Sequence, residues 1–201
     1  MFEIWIKAIT GPTEENYLSI LKSGEPSFGT AAMWMVVAGI VSGIVNGAAA
    51  FLFDSPMAEL GVGAGALFIV YPIMIVIGFF IGSGIYYLVA KALGGTGDFG
   101  EQSYLLAAGQ APLNMIAAVV SVIPILGGCI AGLASLYVIY LNVLSIKTSH
   151  RFEWGKAVAT VLIPLVVIFI LACGCIAVLT LIGATTGEVF ENITRELEAQ
   201  Q

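Results

Sequence analysis

Residues 94–100 read Gly94-Gly95-Thr96-Gly97-Asp98-Phe99-Gly100 and contain the spacing G-x-G-x-x-G. In a dinucleotide site such glycines let backbone N–H groups approach a pyrophosphate. That site also needs a strand before the turn, a helix after it and an acid about 20 residues on. Here an apolar run ending in Tyr86-Tyr87-Leu88 precedes the turn, and only apolar sequence lies at the distance where the acid belongs. No lysine of the P-loop kind is present either. The spacing is therefore read as a glycine-rich connector, with Gly94-Gly95 capping the preceding helix because glycine accepts a left-handed backbone angle.

Other reactive types are sparse. Cys129, Cys173 and Cys175 all fall in or near apolar segments, and Cys173-Gly174-Cys175 puts two thiols on different faces of a helix. With no histidine in those segments they read as small apolar residues, not metal ligands. The single histidine, His150, stands beside Arg151 in a connector and is expected to be solvated. No nucleophile–base pair can be assembled, so no enzymatic role, cofactor or metal is expected. The apolar segments do hold Asn46, Gln110, Asn114 and Asn142, with Pro72, Pro112 and Pro164. Interhelical hydrogen bonds and kinks account for them; a pathway for a neutral solute or lipid past Gln110, Pro112 and Asn114 is the alternative.

The elements carrying these residues follow from composition. The chain has 201 residues, 59% hydrophobic and 10% charged, with a mean hydropathy of +1.02. A soluble domain carries about 25% charge to hydrate its surface. No Asp, Glu, Lys, Arg or His occurs in 31–53, 60–90, 102–146 or 157–187. A helix needs roughly 20 apolar residues to cross the hydrocarbon core. The first, second and fourth blocks each supply one span, near 31–53, 63–90 and 157–182. The third supplies two, broken at Ile123-Pro124-Ile125-Leu126-Gly127-Gly128. Because lipid offers backbone groups no water partner, the spans are expected to be helical. The fold class is an all-α integral membrane protein, a bundle of five transmembrane helices.

Lys and Arg favour the cytoplasmic side. With the N-terminus cytoplasmic and the C-terminus outside, Lys7, Lys22, Lys91, Lys147, Arg151 and Lys156 all lie inside and only Arg195 outside. The net charge of −6 excludes nucleic acid as a partner. Before the first span, Phe2, Trp5, Ile6 and Ile9 share one helical face, Gly11-Pro12 breaks it, and Thr13-Glu14-Glu15 starts a second short helix. These helices either lie on the headgroups or dock on the bundle. Small residues recur every fourth position at Gly39, Gly43 and Gly47, at Gly78 and Gly82, and at Gly128 and Gly132. Such stripes let helix backbones approach in lipid. Packing within the chain is the simpler reading; homo-oligomer contact is the other, with the first span's glycines foremost.

Taken together these residues resemble the Yip domain family, five-pass membrane proteins first known as interactors of Ypt/Rab GTPases. The resemblance rests on Gly11-Pro12 with Glu14, Glu15 and Tyr17; on the Gly94, Gly95, Gly97, Asp98 and Phe99 loop; on Tyr104 and Ala111-Pro112; and on Ser149-His150-Arg151-Phe152 before Lys156. It implies a cytoplasmic interfacial segment (1–30), a five-span domain (31–185) and an acidic extracytoplasmic tail (186–201). It further implies a membrane-organising or trafficking-type adaptor in the bilayer, with a cytoplasmic protein partner. The short N-terminal region is similar to that of prokaryotic members. That places the protein in a prokaryotic plasma membrane, or in ER or Golgi membrane if the host is eukaryotic. GTPase binding is not carried over.

Overall fold

The structure, a computed structural model, describes residues 1–52, 64–123 and 126–198. Among them are seven α-helices and no strand: α1 (Phe2–Thr10), α2 (Glu14–Ser23), α3 (Phe28–Leu52), α4 (Ala64–Ala92), α5 (Phe99–Ser121), α6 (Leu126–His150) and α7 (Trp154–Glu198). Four segments, Phe28–Leu52, Gly65–Ala92, Phe99–Ser121 and Trp154–Gly183, are long and apolar enough to cross a membrane. The protein is an integral, multi-pass membrane protein. The 102–146 block is indeed two helices, α5 ending at Ser121 and α6 starting at Leu126; Pro124 and Ile125 of the expected turn lie outside the described residues.

Helix starts are set locally. The Thr13 hydroxyl accepts from the Asn16 N–H at 3.2 Å, Ser27 from the Thr30 N–H at 3.1 Å, and the Asp98 carboxylate from the Glu101 N–H at 2.9 Å. Each satisfies a donor that the first helical turn leaves unpaired.

Two compact units divide the chain, 1–161 and 162–201. In the first, α3 packs on both α4 and α5, and α5 packs on α6. The α3–α4 contact is close because α3 presents glycine. A side-chain carbon at Gly39 would lie 2.7 Å from the Pro72 Cα, and one at Gly43 would lie 3.2 Å from Pro72 Cδ. One at Gly47 would meet the Phe68 ring at 2.8 Å. Pro72 lacks an N–H and stands inside α4, where the two α3 glycines receive its ring. Gly78, Gly82 and Gly132, with the same spacing, meet nothing within 4 Å. The surroundings of Gly128 lie outside the described residues.

The N-terminal helices dock on the bundle. Trp5, Ala8, Tyr17 and Ile20 are buried, with α1 against α5 and α2 against α6. The Trp5 ring meets Trp34 edge-on at 6.0 Å, and Trp34 in turn lies 4.7 Å from Tyr104. The apolar face of α1 is split: Trp5 turns inward, while Phe2 and Ile6 are 68% and 59% exposed. A short helix with apolar side chains on both sides can touch the bundle and the lipid together.

In the second unit the described residues continue α7 without a break to Glu198.

Candidate functional site

The residues that the sequence marks as a loop family are drawn to one end of the first unit. The α4 C-terminus closes with Gly94 at φ +87°, the Gly95 N–H donating to the Ala90 carbonyl at 2.8 Å and the Gly94 N–H to Lys91 at 3.0 Å. This is the left-handed glycine cap expected from the sequence. The next two glycines have a different task. A side-chain carbon at Gly97 would overlap the Ser149 carbonyl, and one at Gly95 would overlap the His150 ring. The turn therefore needs glycine so that its backbone can lie against the end of α6. No nucleotide geometry is required to explain it.

His150 is the main departure from expectation: it is 1% exposed, not solvated. Its ring packs beside Tyr87 and Phe152 at centroid distances of 5.9 and 5.7 Å. Its Nε2 lies 2.9 Å from Gln102 Oε1. The Gln102 amide nitrogen already donates to the Ser83 carbonyl at 2.7 Å and to the Ser83 hydroxyl at 3.1 Å. Gln102 Oε1 must therefore accept, which assigns the proton to His150 Nε2 and leaves Nδ1 as a lone pair. Nδ1 is buried and has no hydrogen-bond partner. Burial, then the nearby Lys91 charge, lowers the His150 pKa to about 4, while Asp98 opposes the shift. The ring is neutral at pH 7.

The chain around this corner is pinned. Thr96 Oγ1 donates to the His150 carbonyl at 3.3 Å, Lys91 Nζ to the Gly95 carbonyl at 3.2 Å, and Lys156 Nζ to the Leu93 carbonyl at 3.2 Å. Arg151 takes φ +56°, which lets the chain turn sharply from α6 into Phe152. The N-terminal helices dock along α6 between Tyr137 and Lys147. Lys147 pairs with Glu14, the Tyr140 hydroxyl donates to the Pro12 carbonyl at 3.0 Å, and the Tyr137 hydroxyl donates to the Ile9 carbonyl. Gly100 approaches Ser27 and Phe28 at the start of α3.

Gly94, Gly95, Gly97, Asp98, Phe99 and His150 are thus brought to one end, whereas Gly11 and Pro12 dock beside Tyr137 and Tyr140, roughly 15–20 Å along α6 from His150 at 1.5 Å per residue. Ala111 and Pro112 are not at that end either: both are buried in the middle of α5, roughly 20 Å along the helix from Asp98 at 1.5 Å per residue. Beside them Gln110 donates its amide to Asn142 at 2.8 Å, joining α5 to α6. Sequence reasoning missed Ser83, Gln102 and Ser103, which form a buried polar knot, the two hydroxyls 3.1 Å apart. The available signal was Gln102-Ser103, two polar residues opening an otherwise apolar segment. Among the described residues no group of three or more His, Cys, Asp or Glu could hold a metal ion.

These joined segments also frame the comparison with known proteins. A model of the Yip1 domain matches residues 9–176. No curated protein and no solved structure matches. The matched stretch begins at the end of α1, takes in the Gly11-Pro12 corner, the Gly94 turn and the His150 corner, and runs into α7. On that extent, the chain belongs to the Yip1 domain family.

Proposed function

We propose that the protein is a non-enzymatic, five-pass membrane-organising or trafficking-type adaptor whose cytoplasmic face is built from α1, α2, the Gly94 turn and the 147–156 corner. One observation carries the reading: the Gly94 turn and the N-terminal helices, distant in sequence, are both locked onto α6 by hydrogen bonds and an ion pair. A rigid composite surface of this kind suits a partner better than separate loops would, because little ordering entropy remains to be lost on binding. Residues 126–146 of α6 form the fifth span, with the N-terminus inside and the tail outside. Which side of the membrane this face lies on follows from its Lys and Arg.

The alternative, a pathway for a neutral solute or lipid through α5, has less support. Gln110 is engaged by Asn142, and Ala111 and Pro112 are buried against neighbours.

Two experiments test the proposal. In a background with all three cysteines replaced, Glu15→Cys and Thr96→Cys should be labelled from one side of intact membranes and Glu191→Cys from the other. Labelling of all three from the same side would rule out an odd number of spans. A mild-detergent pull-down should then recover a soluble partner that is lost in a Glu15→Lys/Glu153→Lys variant, both side chains being exposed. Partner recovery unaffected by those reversals would place the docking face elsewhere.

A further inference from the structure

A cavity of about 540 Å³ opens at the same corner, lined in part by Gly94, Thr96, His150, Arg151, Phe152 and Lys156. Glu153 is its one acidic wall among the described residues. Arg151 and Lys156 are exposed, and among the described residues neither makes an ion pair; Lys91, which pins the Gly95 carbonyl, makes none either. Three cations therefore stand around the turn against two carboxylates, that of Glu153 and that of Asp98, which caps α5. The wall formed by His150 is 1% exposed, and its Nδ1 is turned against Gly95 and closed to water.

The place of the cavity narrows the chemistry. It lies where α4 ends at Ala92, α6 ends at His150 and α7 begins at Trp154. Trp154 stacks on Tyr140 at 6.4 Å, an aromatic pair of the kind that sits at headgroup level. At that depth the abundant anion is the phosphate of a lipid headgroup, which attracts Lys and Arg held near the surface.

We infer that this cavity is a binding site for an anionic phosphate ester, such as the phosphate of an anionic lipid headgroup. Lys156 and Arg151 hold the phosphate oxygens. The Phe152 ring, over which Lys156 Nζ sits at 5.7 Å from the centroid, keeps that cation poised at the rim. The inference goes beyond the adaptor reading, since the ligand would be held by the purified protein with no partner present.

The test uses the full chain purified in non-ionic detergent, and native mass spectrometry against phosphatidylglycerol and phosphatidylcholine. A thermal-shift titration with glycerol 3-phosphate runs in parallel. The variant is Lys156→Gln/Arg151→Asn, asparagine being a residue that tolerates positive φ. Lys22→Gln, in the last turn of α2, is the control. A site for lipid predicts retained phosphatidylglycerol in preference to phosphatidylcholine, reduced at least about tenfold in the double variant (1.4 kcal/mol, from two lost contacts) and unchanged in the control. A soluble source predicts instead a saturable stabilisation by glycerol 3-phosphate, abolished by the same variant. If the double variant fails to fold, Lys156→Gln alone should still lower occupancy per folded molecule. Equal retention of both lipids with no glycerol 3-phosphate shift, or occupancy indifferent to Lys156, would overturn the site. A pull-down that finds no protein partner leaves this result untouched, so the two proposals fail separately.

Discussion

The α3–α4 seam and the Gly94 corner both rest on glycine, yet they use it for different ends. In the seam, Gly39 and Gly43 let a helix backbone settle onto Pro72, an apolar contact inside the bundle. At the corner, Gly95 and Gly97 let a turn lie against the end of α6, and the contact encloses a histidine, a glutamine and two serines. Dispersion over a close surface maintains the first. The second depends on hydrogen bonds made away from water. The seam should therefore be indifferent to pH and sensitive to volume, and the corner sensitive to both.

The largest effect is expected where an added carbon meets backbone. Gly97→Ala and Gly39→Ala should each lower the stability of the detergent-solubilised protein by about 1–3 kcal/mol, read as a drop in thermal midpoint, because neither the Ser149 carbonyl nor the Pro72 Cα can swing aside. Wild-type behaviour in both variants would show that the two contacts are loose and that the comparison fails.

Acid separates the two regions. His150 is neutral when folded, with its pKa lowered to about 4 from an unfolded value near 6.5. Below pH 6.5 the unfolded chain takes up a proton that the folded chain refuses, so the contribution is complete above 6.5. It is lost as pH falls towards 4 and changes no further below that. Up to about 3 kcal/mol is at stake in that window. His150→Gln should flatten this part of the pH profile, whereas Gly39→Ala should shift the whole profile down without changing its slope. A profile that is the same in wild type and His150→Gln would mean that the imidazole is not protected.

Smaller effects grade the seam itself. Gly47→Ala meets the Phe68 ring, a side chain 38% exposed and free to move, so it should cost less than Gly39→Ala, under about 1 kcal/mol. Gly78→Ala and Gly82→Ala meet nothing and should be neutral or stabilising, by up to about 1 kcal/mol from reduced backbone entropy. Marked destabilisation at Gly78 or Gly82 would mean that this face of α4 is covered by something outside the single chain.

These glycines also show how far a sequence can be read. Spacing of four marks Gly39, Gly43 and Gly47 and Gly78 and Gly82 equally, yet only the α3 set is covered by a neighbour within the chain. A repeat fixes which residues share a helix face, but not what that face meets. Gln102 and His150 make the same point from the polar side. They are 48 residues apart, and nothing local to either one indicates the other.

The sequence by itself determined the solvent and the secondary structure. Four uncharged blocks cannot be hydrated, and in lipid an unpaired backbone leaves the helix as the solution, so the helices and their approximate ends were legible residue by residue. The Gly94 cap was legible too, because a left-handed turn is a property of one residue. Only the tertiary structure decided that α1 and α2 dock on the bundle, that His150 is buried and that the glycine turn serves contact with α6. Each of those depends on the distance between segments far apart in the chain, which is set by the sum of many weak contacts and not by any local pattern.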